Sequence, residues 1–280
     1  MTPRIDPKTT LTALRDFCAE HLGADLADRV VGLARPGFSL TEATPGQAAG
    51  HSRFGGEAMP EPGTPWPVCE DLPLSLLAVL DTDALAPWLG DLLPPGTGLL
   101  NFFRLDKESE QSDPTAWKVA AGFGPEGPEA GRAIAARSSH AVETEPPARS
   151  SVFAPVPWAA EPGFALPDTW DTAWDTLDLG YAGSDYDAVE AFKDAIRTEW
   201  SPPGMLYCED MAFGRPVFPT GSSSVMLNGD DSNRYHHLLQ LSDRHEWHLD
   251  GEGGWMHWSI PTEALRAGEF GQAIPTPDHW

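Results

Sequence analysis

The segment Leu74 to Leu80 is an apolar run interrupted only by Ser75, and it restricts the fold more than any other stretch of this chain. A run of this length without polar alternation predicts a strand buried on both faces. Upstream lies a Gly-Pro elbow, Phe54-Gly55-Gly56, then Pro60 to Trp66-Pro67. Downstream, Asp81 or Thr82 caps a short helix carrying Leu85, Trp88 and Leu89, with Gly90 just past its end. Pro94-Pro95-Gly96 turns the chain into a second strand, Gly98 to Phe103. Strand alternation puts Leu99, Asn101 and Phe103 on one face and Leu100 and Phe102 on the other.

A shorter version of this pattern returns near the C-terminus. Leu76 to Asp81 aligns with His237 to Ser242, and Gly98 to Phe103 aligns with Gly254 to Ser259. Each half thus pairs a buried strand with a Gly-led aromatic strand, which predicts duplication of one unit. The expected fold is α+β, with a pseudo-duplicated antiparallel β-sheet core, flanking helices and an N-terminal helical extension. Residues 1–50 are read as the extension, and 51–280 as one domain of two related halves, about 51–160 and 161–280.

Further helices follow from the 3.6-residue period. Leu11, Leu14, Phe17, Cys18, His21 and Leu22 form one stripe over residues 9–22, and residues 25–33 give a second, ended by Pro36-Gly37. Leu166, Trp170, Trp174 and Leu177 predict an amphipathic helix over 166–179, with Asp168, Asp171, Asp175 and Asp178 opposite. Another runs from Asp187 to Trp200, and a closing helix from Pro261 to Ala267 stops at Gly268. Residues 41–70 suit a rigid irregular loop, and 116–121 add a strand.

Eighteen basic and forty-two acidic residues give a formal charge of −24, which repels nucleic acid and anionic membranes and attracts a basic partner. No window approaches the roughly 20 apolar residues of a membrane span, and the N-terminus lacks a secretory signal. The expected location is cytoplasmic. Cys18, Cys69 and Cys208 are scattered and without CxxC spacing, so they read as free thiols. Gly122 to Gly127 matches GxGxxG by letter, but Pro125 removes an amide donor, and Glu126 and Glu129 repel a pyrophosphate.

Candidate chemistry concentrates in the C-terminal histidines, His236, His237, His245, His248 and His257, with Asp230, Asp231, Asp243 and Asp250 nearby. His245 and His248 are the candidates for a metal, since imidazole and carboxylate together suit zinc. His236 and His237 alternate to opposite faces and cannot share one site. No metal site is expected, and no cofactor is implied. Cys208 precedes Glu209 and Asp210, which raise rather than lower a thiol pKa. Asn101 and His257 occupy the same place in the two aromatic strands. With Trp66 and Trp255 they are the expected ligand-binding residues of a cleft between the halves.

Phe54-Gly55-Gly56, Trp66-Pro67, Pro73 to Asp81, Leu99 to Phe103, His237 to Ser242 and Gly254 to Phe270 together resemble the YwqG-like proteins, the DUF1963 family of unknown function. The resemblance spans roughly residues 50–273 and implies antiparallel sheets in two related halves. It carries no catalytic assignment. Where the family shows a Gly-Gly-Tyr-Pro motif, this chain has Met211 to Pro216 and then Ser222 to Met226, so no ligand site is carried over from that motif. Some members resemble immunity-type proteins. The expected function is a non-enzymatic protein-binding protein with an acidic surface, its partner a basic toxin or enzyme. The alternative is a small-molecule-binding or metal-dependent enzyme using the cleft.

Overall fold

The computed structural model describes residues 6–106, 130–198, 204–207, 209–218, 232–245, 247 and 254–279. The chain opens with α1 (Pro7–Leu22), whose N-terminus is capped by Asp6 accepting from the Thr9 amide, and α2 (Ala24–Val31). Leu14 and Cys18 of α1 pack with Leu26, Ala27, Val30 and Val31 of α2 in the main core. Burial pushes the Cys18 thiol up to about 12, so it stays protonated.

Residues 35–42, placed by the sequence reading within the helical extension, instead form β1 (Arg35–Glu42) at the centre of the sheet. Pro36-Gly37 resembled a helix stop. Gly37 serves a different purpose, because a Cβ there would lie 2.7 Å from the Gly214 amide nitrogen.

The other strands are β2 (Arg53–Phe54), β3 (Val68–Cys69), β4 (Leu72–Pro73), β5 (Ser75–Asp81), β6 (Leu99–Arg104), β7 (Gly131–Ala136), β8 (Val156–Ala165), β9 (Met211–Phe213), β10 (Tyr235–Ser242), β11 (Gly254–Pro261) and β12 (Ile274–His279). The helices α3 (Thr82–Leu89), α4 (Ser184–Thr198) and α5 (Thr262–Ala267) complete the described elements longer than one or two turns of 3-10 helix. Asp81 caps α3 through the Ala84 amide and Gly90 ends it, as the sequence predicts.

Ten strands form one antiparallel sheet in the order β12-β11-β10-β9-β1-β8-β2-β5-β6-β7. Outward from the central β1–β8 pair, the order on one side mirrors the other. Both β5 and β10 carry a register shift, between Leu76 and Ala78 and between His237 and Leu239. After β2, Gly55 and Gly56 take φ of 60° and 79°; at the end of β9, Phe213 and Gly214 take 58° and 74°.

The sheet curls until its ends approach. Phe102 of β6 meets Trp258 of β11 edge-on at 5.4 Å, and Gly131 at the start of β7 lies against Pro275 of β12. The main core fills the concave side with Ala78, Leu80, Leu100, Phe102, Trp158, Leu239, Leu241, Met256 and Trp258. Helix α4 adds Val189, Phe192 and Ile196, with Phe192 tilted against Phe17 of α1. A second cluster covers the convex side of β5 and β6: Met59, Cys69, Leu72 and Leu74 close over Leu76, Val79, Leu99 and Phe103.

The helix expected over 166–179 is replaced by a 3-10 segment, Thr172–Leu177. Two of its four aspartates, Asp168 and Asp171, are taken up by backbone amides and an ion pair, while Asp175 and Asp178 are exposed. Asp168 accepts from the Thr169 and Phe218 amides, Asp171 caps Ala173, and Asp171 lies 3.6 Å from Arg215, both buried. The expected strand over 116–121 and the Gly122–Gly127 loop lie outside the described residues.

Candidate functional site

The convex face of β10, β11 and β12 is built from alternating residues that pair across the strands: Gln240 with His257, His257 with Thr276, Trp255 with Asp278, and His237 with Ser259. Except for the half-buried Trp255, all of these side chains are buried, with His257, Gln240 and Asp278 fully so. The matching register on β5, β6 and β7 carries Leu76, Val79, Leu99, Phe103 and Ile134 around Asn101, with Asp81 opposite Leu99 and half-buried Arg132 opposite Phe103. The convex face of β5, β6 and β7 is mainly apolar, and that of β10, β11 and β12 is mainly polar though also buried.

Asn101 is fully committed to holding the loop above it. Its Oδ1 accepts the Met59 amide at 2.6 Å, and its Nδ2 donates to the carbonyls of Met59 and Ile134. Over the polar face the corresponding task falls to Gln240, which accepts the Val217 amide at 2.9 Å and donates to the Glu209 carbonyl. His257 is left without such a task. Of six buried side-chain polar atoms lacking a partner among the described residues, four lie here: both ring nitrogens of His257, Nε2 of His237 and Oγ1 of Thr276. Folded proteins pair most buried polar atoms, and each orphan costs about 1–3 kcal/mol, so their concentration on one face asks for a cause.

The two imidazoles are neighbours, with ring centroids 5.9 Å apart. Nδ1 of His237 lies 2.9 Å from the Phe213 carbonyl oxygen and donates to it, which leaves the lone pair on Nε2. Phe218 stacks on His257 at 4.2 Å, and the Trp255 ring lies 6.5 Å away. Burial holds His237 down to about 4 against the backbone of Phe213 and of Leu239, with the nearby Arg35 acting in the same direction as burial. Burial, then the neighbouring His237, holds His257 well below the ordinary histidine value. Both rings are neutral at pH 7. They offer hydrogen bonds or metal coordination rather than positive charge.

His236 alternates to the other side, as expected. Burial and the guanidinium groups of Arg35, Arg215 and Arg266 hold it down to about 4. His245 is occupied: its Nε2 lies 2.7 Å from Oδ2 of buried Asp210, and its ring stacks on Phe54 at 4.2 Å. Asp210 also accepts from the Ser242 amide and hydroxyl and from Arg244. Burial pushes the Asp210 carboxyl up. The His245 hydrogen bond and charge, the Ser242 amide and Arg244 outweigh it and hold the carboxyl below its usual range. This cluster fastens the turn after β10. His248, Cys208, Asp230, Asp231 and Asp250 lie outside the described residues.

The four expected ligand residues separate into two pairs. Trp66 donates its indole N–H to the Leu74 carbonyl and meets Phe103 edge-on at 5.2 Å, in the cluster that contains Asn101's loop. Trp255 and His257 belong to the polar face. Because Phe102 and Trp258 meet on the concave side, Asn101 and His257 point away from each other, and they do not line a common cleft. Gln240, Phe218 and Thr276 are members of the polar face that sequence reasoning missed. A signal for the face was present: across the aligned halves, Leu76, Val79 and Phe103 become His237, Gln240 and Ser259.

No helix among the described residues is long and apolar enough to cross a membrane. No curated protein matches the chain. A family model described as a domain of unknown function, DUF1963, matches residues 52–278, from the residue before β2 into the last strand, so it spans both convex faces. The chain belongs to the DUF1963 family.

Proposed function

We propose that this protein binds a small polar ligand on the convex face of β10, β11 and β12, and that the corresponding face of β5, β6 and β7 is structural. The observation that carries this reading is the set of unpartnered buried atoms on His237, His257 and Thr276. A face that only stabilised the fold would do better with the apolar residues found at the same register on the other side. Polar groups kept at such a cost are a common signature of sites where stability is given up for binding.

The same reading treats the sheet as two copies of one five-strand unit, β1-β2-β5-β6-β7 and β8-β9-β10-β11-β12. Support comes from the mirrored strand order, the matched register shifts and the paired left-handed residues at the ends of β2 and β9. The copies then begin at β1 and β8, at Arg35 and Val156, rather than near residues 51 and 161. Each copy also exchanges its first strand, since β1 pairs with β9 and β8 pairs with β2. Duplication frees one copy to diverge while the other retains the core.

The test is native mass spectrometry of untagged wild-type protein beside His257→Leu. A small molecule retained by the wild type and lost from the variant is the expected result. Absence of any retained species, together with no melting shift in a screen of metabolite-sized polar compounds, counts against the site.

The formal charge of −24 favours a second reading, capture of a basic protein in the manner of an immunity protein in the cytoplasm. A complex whose affinity falls steeply between low and physiological salt is its expected mark. A salt-insensitive complex, or none, would sink it.

A further inference from the structure

We propose that the ligand site of the preceding section is a metal site, in which His237 and His257 together hold one late first-row transition-metal ion with exchangeable positions left open. This inference rests on the proposed site and adds what the site contains.

Four observations converge on it. The Nδ1–H of His237 is tied to the Phe213 carbonyl, which orients the ring and presents the Nε2 lone pair with no protein donor to receive it. A backbone carbonyl on the far nitrogen is, with carboxylate and water, one of the common outer partners of a metal-bound histidine. His257, on the adjacent strand, has both nitrogens free, so neither tautomer is blocked. Two imidazoles on a shared ion, each nitrogen about 2.0–2.1 Å from it, place their ring centroids roughly 5 to 6.5 Å apart as the angle opens from tetrahedral to linear. The observed separation is 5.9 Å.

Chemistry agrees with the geometry. Metal binding needs imidazole in its neutral form, which the burial of both rings favours. Nitrogen ligands of this kind suit zinc, copper, nickel or iron rather than magnesium or calcium. Asp278, fully buried on β12 two residues beyond Thr276, adds a carboxyl group to the same face. The net charge of the whole chain also favours a cation.

Among the described residues no third His, Cys, Asp or Glu converges with the pair. A closed structural zinc site takes four protein ligands, so two histidines leave room for water or for an oxygen or nitrogen donor of a bound molecule. Thr276 Oγ1, unpartnered across from His257, is placed to hydrogen-bond such a donor. The ligand class of the site is therefore a small molecule that coordinates the ion.

The experiment uses the full chain, stripped with a chelator and titrated with Zn2+ against a chromophoric competitor, and with Co2+ read by its visible d–d bands. The expected result is one ion per chain, with affinity reduced at least tenfold in both His237→Gln and His257→Leu. Stoichiometry stays unchanged in His51→Ala and His140→Ala, two exposed histidines. Should either core variant fail to fold, imidazole 15N shifts of the wild type decide: zinc must move the ring nitrogens of His237 and His257. No saturable binding, or binding that moves only other histidines, overturns the proposal. Native mass spectrometry of the same preparation separates the two readings. An organic molecule retained without metal leaves the polar site standing and removes the ion; neither species present removes both.

Discussion

Asn101 and His257 occupy like registers on β6 and β11, yet their substitution should have opposite consequences. Asn101→Ala leaves the buried Met59 amide and carbonyl and the Ile134 carbonyl short of a partner, so a loss of about 3 kcal/mol is expected in urea unfolding. Faster amide exchange at Met59 should accompany it. His257→Leu removes two orphaned ring nitrogens and supplies apolar volume, so the ligand-free protein should gain about 1 kcal/mol. A lower urea midpoint for His257→Leu would mean that the ring is satisfied in solution. The histidines also set an acid limit. A histidine held neutral in the fold binds its proton in the unfolded chain first, so its contribution is intact above about 6.5 and declines as pH falls. For His237 the decline runs from about 6.5 to about 4 and amounts to about 3 kcal/mol. His257 acts in the same direction and continues further into acid. Urea midpoints measured across this window should fall, and they should fall less in a His237→Gln, His257→Leu double variant.

Among the elements, β1 is the one whose role most depends on a single residue. It is paired on one side with β8 along its whole length and on the other with three residues of β9, and Gly37 lies opposite Gly163 of β8 and Phe213 of β9. A Cβ at 37 would lie 2.7 Å from the Gly214 nitrogen and 2.9 Å from the Ala212 oxygen, both backbone atoms that cannot rotate aside. Gly37→Ala should therefore cost about 3 kcal/mol or more, well above an ordinary glycine-to-alanine change in a strand. Exchange should rise at the β1–β9 amides before it rises in β5 and β6. The Asp210 cluster works at the same scale, since a buried carboxylate binds Ser242, Arg244 and His245 and so fixes where β10 leaves the sheet.

For the molecule as a whole, the exchanged first strands predict a specific behaviour when the chain is cut. A break in the segment between β7 and β8, for example after Glu145, separates the two proposed copies but leaves β1 bound only to strands of the second, β8 and β9. Each fragment alone would expose a strand with no partner and should lack a cooperative unfolding transition. The two expressed together should form a 1:1 complex with the melting profile of the intact chain. Independent folding of either fragment as a monomer would show that the exchange is dispensable.

How far the chain announces this arrangement depends on how local each feature is. The buried run at β5, the capped helix α3, the faces of β6 and the helices α1, α2 and α4 follow from side-chain period, caps and turn residues, which act within a few positions. The strands β10 and β11 were also legible, because each is carried by the order and spacing of its own residues. β1 was hidden because Pro36-Gly37 carries the same local signal as a helix stop, and only contact with Gly214 gives Gly37 its purpose. The expected helix at 166–179 failed for the converse reason: its period was correct, but Asp168 and Asp171 found partners in Phe218 and Arg215 that lie far away in the chain. The polar site shares this origin. By itself the sequence determined β5, β6, β10 and β11, their alternation and the residues available to each face of them. Only tertiary structure decided that the sheet curls with Asn101 and His257 turned outward on opposite sides, because burial and hydrogen-bond pairing are properties of assembled surfaces and not of any segment alone.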